Sequence, residues 1–255
     1  MSDWKEVARP EILTFLRQYC IAFWCVEYPE FKEKQSEPKF EICGGSGFLW
    51  QTECGKFLVT AYHVWAEFRD RILERPDRNL IFYLDGNHAF PLLNIKLVSE
   101  GRDLDLAVLG GPGIELLQLD EKAFFKQPVE VPADVLEADR LALLGYPKVL
   151  RISEAPYNTI GIVYMQGSAI VSEYGLRFRM AGNTLNKYRS SAVPSLEDFE
   201  MPGCSGGPVF VFRPGHIEWA GIVSEVGGAP HFDVVIVPSK FIGSDGIIIR
   251  PSTML

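Results

Sequence analysis

The chain has 255 residues, of which 47% are apolar, with 25 Lys plus Arg set against 33 Asp plus Glu. The resulting charge of −8 argues against a nucleic-acid surface. No apolar run approaches the ~18 residues that a membrane helix needs, so no transmembrane segment or membrane partner is expected.

From the N-terminus, Pro10 opens a helical pattern with Ile12, Phe15, Leu16 and Tyr19 on one face, a stripe suited to packing on the rest of the fold. Residues 21–26 read as a first strand, and 32–39 as a charged, turn-rich exposed loop. Short apolar runs follow at 57–60, 80–84, 106–109, 140–144, 159–165, 208–212, 234–237 and 246–249. Gly, Pro, Asn and Asp separate them, which predicts an all-β barrel or sandwich. No internal repeat or low-complexity tract is visible.

The chemistry is concentrated in Gly203-Cys204-Ser205-Gly206-Gly207-Pro208. A serine flanked by glycines sits on a turn with little side-chain bulk. Its hydroxyl can meet a substrate carbonyl while the N–H groups of Gly203 and Ser205 point at the same spot. Such a serine needs a base. Of four histidines, His88 and His216 follow turn signals and read as solvated, and His231 lies in a Gly-Pro loop without an obvious partner. His63 differs, because the run from Phe57 delivers it where an apolar strand ends. The base in turn needs an acceptor that sets its tautomer. Asp105 directly precedes the apolar run at 106–109 and is the first choice, with Asp103, two residues earlier, as the fallback.

Together these segments resemble the trypsin/chymotrypsin-like serine protease superfamily. Thr60-Ala61-Tyr62-His63-Val64 is similar to its Thr-Ala-Ala-His segment, Asp105-Leu106-Ala107-Val108-Leu109 to its Asp-Ile-Ala-Leu-Leu strand, and Gly203 to Pro208 to its Gly-Asp-Ser-Gly-Gly-Pro loop. Weaker similarities lie in Gly44-Gly45-Ser46-Gly47-Phe48-Leu49, in Leu141 to Pro147, and in Gly221-Ile222-Val223-Ser224. The resemblance implies a double six-stranded β-barrel of the chymotrypsin type with a short N-terminal helix. It places helix and first strand at 1–38, a first barrel with His63 and Asp105 at 39–125, and a second with Ser205 at 126–255. It implies a Ser205-His63-Asp105 triad, an oxyanion hole from Gly203 and Ser205, and extended peptide pairing along Ser224, Glu225 and Val226. Phe199, six residues before the nucleophile, falls at the family's pocket floor, with Glu197, Asp198 and Glu200 beside it; Glu225 is a further acidic candidate.

The departures from the family carry information. Cys204 stands where digestive members have the Asp that pairs with a new N-terminus, and no Ile-Val-Gly-Gly cleavage site precedes the first barrel. Similarity to bacterial Deg-type enzymes implies activity without an activating cut, the loop being ordered by substrate, partner or oligomer. Five cysteines at irregular spacing form no disulfide framework or zinc pattern. The segment Met1-Ser2-Asp3-Trp4-Lys5 has no basic region leading into an apolar core. A cytoplasmic protein is therefore expected, without cofactor or metal. With no length left for an appended PDZ domain, a dedicated cleavage of a protein or peptide substrate is the expected activity. A pseudoprotease that binds peptides, or an esterase using the same triad, is the alternative.

Overall fold

A computed structural model describes residues 10–27, 43–74, 80–84, 88–90, 95–117, 121–126, 134–147, 151–154, 157–160, 163–172, 175–179, 203–227 and 233–250. The segments at 1–5, 32–39 and 197–200 and His231 lie outside these residues.

Helix α1 (Pro10–Arg17) forms where the sequence expects it. Leu16 is completely buried, and Ile12, Leu13 and Tyr19 pack half-buried against the main core. Phe15 departs from the expected stripe: it is exposed and reaches the core only through an edge contact with Tyr19, centroids 5.3 Å apart. Lys122 closes the helix. Its Nζ donates to the carbonyls of Arg17 (3.1 Å) and Cys20 (2.6 Å) and to the Tyr146 hydroxyl (2.9 Å), placing a cation at the negative end of the helix dipole.

The all-β expectation holds, with strands in two units. In the first, β1 (Cys20–Glu27), β2 (Cys43–Thr52), β3 (Gly55–Thr60), β4 (Leu80–Leu84), β5 (His88–Phe90), β6 (Lys96–Gly101) and β7 (Leu106–Gly110) run in the order β5-β4-β1-β2-β3-β7-β6. Strand β8 (Phe125–Lys126) adds in parallel to β2, bringing this sheet to eight strands rather than six. In the second unit, β9 (Arg140–Gly145), β12 (Val163–Ser172), β13 (Gly175–Arg179), β14 (Pro208–Arg213), β15 (His216–Val226) and β16 (Asp233–Pro238) close into a six-stranded barrel. A separate hairpin joins β10 (Arg151–Glu154) to β11 (Tyr157–Ile160), so the apolar run at 159–165 divides between β11 and β12. The run at 246–249 contributes only a bridge, Ile248 to Ile242.

Helix α2 (Tyr62–Glu74) begins directly after β3 and is absent from the strand-by-strand reading above. Its apolar residues recur at helical spacing, and Val64, Trp65 and Phe68 are buried with Leu49, Leu58 and Leu109. The short helix α3 (Pro112–Glu115) follows β7. The unbroken apolar sequence of β7 reflects burial on both faces. Leu106 and Val108 enter the core shared by both units, while Ala107 and Leu109 enter the cluster under α2. Among the described residues no helix is long and apolar enough to cross a membrane.

Aromatic packing joins the two units. Phe48 on β2 lies 4.5 Å from Trp219, 5.8 Å from Phe125 and 5.9 Å from Phe210, ring centroid to centroid. Trp50 meets Trp219 in a tilted contact at 5.1 Å. These rings bury a large area, and Phe48 meets Phe210 edge-on at 77°, the arrangement the aromatic quadrupole favours. Phe48 is completely buried, so Phe48→Ala is expected to destabilise the protein by about 3–5 kcal/mol, measured as a lowered urea midpoint at unchanged slope.

Candidate active site

The end of β3 and the start of α2 place His63, and the turn before β7 places Asp105. Asp105 holds φ at 53°, in the left-handed region that Asp tolerates better than most residues. Asp105 Oδ1 accepts the backbone N–H of His63 at 2.9 Å, and both carboxylate oxygens stand 2.9–3.0 Å from His63 Nδ1. An ionised carboxylate can only accept, so Nδ1 carries the proton and the lone pair of neutral His63 is on Nε2. Ser224 supplies a further bond, its Oγ donating to Asp105 Oδ2 at 2.6 Å.

Asp103 goes elsewhere. Its Oδ1 lies 3.4 Å from Arg250, so the fallback acceptor is occupied on the far side of the turn. Residues 102–105 form a turn rather than a strand, so the spacing of two does not set Asp103 beside Asp105. His216, exposed as expected, pairs instead with Glu218 at 2.7 Å.

Asp105 and His63 perturb each other. Burial pushes the Asp105 carboxyl upward, but the bonds from His63, Ser224 and the His63 backbone outweigh it and hold the group below the ordinary aspartate range. His63 is raised, first by its hydrogen bond to Asp105, against an opposing effect of burial. The charges of Asp105, Glu67 and Glu225 add to the upward shift. Glu225 itself is exposed on β15.

The loop around Ser205 explains its own sequence. Gly206 has φ 85°, and a Cβ there would meet the Ser46 carbonyl and Thr60 Oγ1; at Gly207 it would meet the Leu144 carbonyl. The Gly-Gly pair therefore lets the loop press against β2 on one side and β9 on the other. Gly206 N–H donates to Val223 O at 2.7 Å, and Gly207 N–H to Cys204 O at 2.9 Å. Cys204 is completely buried, packed with Leu143, Val209 and Val223 as a small apolar side chain. Ser205 is half-exposed, and among the described residues neither its Oγ nor its N–H has a hydrogen-bond partner. His63 is open to solvent, its side chain 54% exposed against 25% for Asp105.

Ser46 escaped the sequence reading, where it figured only inside a weak strand similarity. Its N–H donates to Ser205 O at 3.0 Å and its Oγ to Gly203 O at 2.7 Å. The role of Ser224 was likewise missed: a bulge between Val223 and Glu225 takes Ser224 out of the β15–β16 register and aims its hydroxyl at Asp105. The signal for Ser46 was its polarity within an apolar strand, where a buried hydroxyl must find partners. On the side away from β16, residues 224–226 pair with no strand among the described residues, because β14 ends its pairing at Ile222. The 197–200 segment, including Phe199, lies outside the described residues. Among the described residues no group of three His, Cys, Asp or Glu side chains could hold a metal.

No protein-family model and no curated protein matches this chain. Among solved structures it is similar to a thermostable serine protease from an extremophilic microorganism, with 14% identity and a TM-score of 0.48, over 89% of this chain and 94% of that one.

The raised His63 value stabilises the fold below the unfolded imidazole value and is lost as pH rises through the folded one. The lowered Asp105 value contributes above the unfolded carboxyl value and is lost as pH falls through the folded one. The pair therefore stabilises most between about pH 4 and 6.5. An NMR titration should find the His63 midpoint above about 6.5, and Asp105→Asn should move it down.

Proposed function

We propose that the protein is a serine endopeptidase in which Ser205 is the nucleophile, His63 the general base and Asp105 the residue that orients the imidazole. The observation that carries this reading is the Asp105 carboxylate against Nδ1, which leaves the lone pair of a solvent-exposed His63 on Nε2. Ser205 Oγ attacks the scissile carbonyl and gives its proton to His63 Nε2. The resulting imidazolium is stabilised by Asp105 and returns the proton to the leaving amine. Water then repeats the sequence on the acyl-enzyme. The oxyanion is assigned to the N–H of Ser205 together with that of Gly203. No cofactor enters these steps.

The substrate is an extended protein or peptide segment that adds a strand along Ser224, Glu225 and Val226, whose outer edge pairs with no strand among the described residues. Activity needs no zymogen cleavage. Cys204, buried among apolar side chains, offers no carboxylate for a new N-terminus, and the loop is already held by β2. The free thiols of Cys20, Cys54 and Cys204 accord with a reducing compartment such as the cytoplasm.

One observation favours a second reading. Among the described residues no hydrogen bond joins His63 Nε2 to Ser205 Oγ, as suits a peptide-binding pseudoprotease or a site completed by substrate, partner or oligomer. An esterase would use the same groups. Labelling with a fluorophosphonate probe separates an active centre from a binding module. Wild type and Cys204→Ala are expected to label, Ser205→Ala not at all, and Asp105→Asn with a rate lower by about 10⁴. A folded wild-type protein that resists the probe would sink the endopeptidase reading.

A further inference from the structure

Ser46 is buried completely, in a strand of the other unit, yet it holds the nucleophile loop from both ends. A hydroxyl has a single proton to give. The Tyr146 N–H can only donate, and it reaches Ser46 Oγ at 2.8 Å, so the Ser46 proton goes to Gly203 O at 2.7 Å. The Ser46 N–H meanwhile donates to Ser205 O at 3.0 Å. Thr60 Oγ1 donates to Ser46 O at 2.9 Å and keeps the residue itself from turning.

These bonds act on consecutive peptide planes. The plane joining Gly203 to Cys204 is held by Ser46 Oγ. The plane joining Cys204 to Ser205, which carries the Ser205 N–H, is held by Gly207 N–H on Cys204 O. The plane joining Ser205 to Gly206 is held at its carbonyl by Ser46 N–H and at its N–H by Val223 O. Two of the three depend on one residue. Without its Oγ, the Gly203 carbonyl loses this bond, and the plane next to the one that carries the Ser205 N–H loses an anchor. The Tyr146 N–H that meets the same oxygen anchors the arrangement to the end of β9.

We infer that Ser46 is a positioning residue: its side chain fixes the peptide plane next to the one that bears the Ser205 N–H, and through it the assigned oxyanion-binding backbone, in the free protein. The inference rests on the endopeptidase reading above. It assigns to an internal serine the ordering of the loop that a cleaved N-terminus would otherwise supply.

The test is the second-order rate of fluorophosphonate labelling against pH for wild type, Ser46→Ala, Ser46→Thr and Ser205→Ala, with a melting curve for each. Misplacing donors by about 1 Å costs about 10²-fold, so Ser46→Ala is expected to lower the plateau by about 10–100-fold. The pH midpoint, which belongs to His63, should stay where it is, and Ser46→Thr, which keeps the hydroxyl, should recover the rate to within about threefold. A Ser46→Ala plateau within about twofold of wild type overturns the inference, as does a displaced midpoint. If Ser46→Ala melts below the assay temperature, Ser46→Thr carries the test, and labelling below about a tenth of wild type overturns it. No labelling of wild type overturns the endopeptidase reading and this inference with it. Labelling of wild type and Ser46→Ala alike overturns this inference alone.

Discussion

A carboxylate three-quarters shielded from water is costly unless donors surround it, and Asp105 is where this protein meets that cost. Its donors come from different places: the imidazole and backbone of His63 at the start of α2, and the hydroxyl of Ser224 on the barrel. One charge therefore ties the first sheet to the second unit at the cleft. The turn that presents it accepts a left-handed backbone at Asp105. The same bonds that stabilise the charge fix the imidazole tautomer, so folding and chemistry make one demand on this residue.

Ser46 meets a parallel demand for the neutral part of the site. A buried hydroxyl needs partners as a buried charge does, and here both bonds are to backbone groups of the second unit. Between these two polar contacts lies the aromatic contact of Phe48 and Trp50 with Trp219. The aromatic rings supply area without direction; the polar groups supply direction. The Ser205 loop is held by the second kind, through the Ser46 bonds to Gly203 O and Ser205 O.

The electrostatic setting of the cleft is acidic. Glu67 and Glu225 add to Asp105 in favouring protonated His63, while burial opposes it. The imidazole is thus a stronger base than a free one, at the expense of being protonated over a wider pH range.

How much was legible follows from the range over which each feature is decided. The Gly-Gly pair after Ser205, the burial of the 106–109 run and the helix at Pro10 are local matters. They depend on backbone conformation and residue size, which adjacent residues announce. His63 and Ser205 could be singled out as candidates for base and nucleophile from their own segments and from the family resemblance. Helix α2 was also written in the spacing of Val64, Trp65 and Phe68, but the strand that precedes it masked the change of period. Asp105 over Asp103 and the part played by Ser46 and Ser224 were decided elsewhere. Their partners lie 42, 157 and 119 residues away along the chain. Which oxygen a hydroxyl or carboxylate meets at that separation depends on how two units pack and where one strand bulges. Hydrogen bonds fail within fractions of an ångström, whereas apolar periodicity survives a shift of that size. The sequence by itself therefore determined most of the strands and the candidate residue types, and only the tertiary structure decided which polar groups face one another.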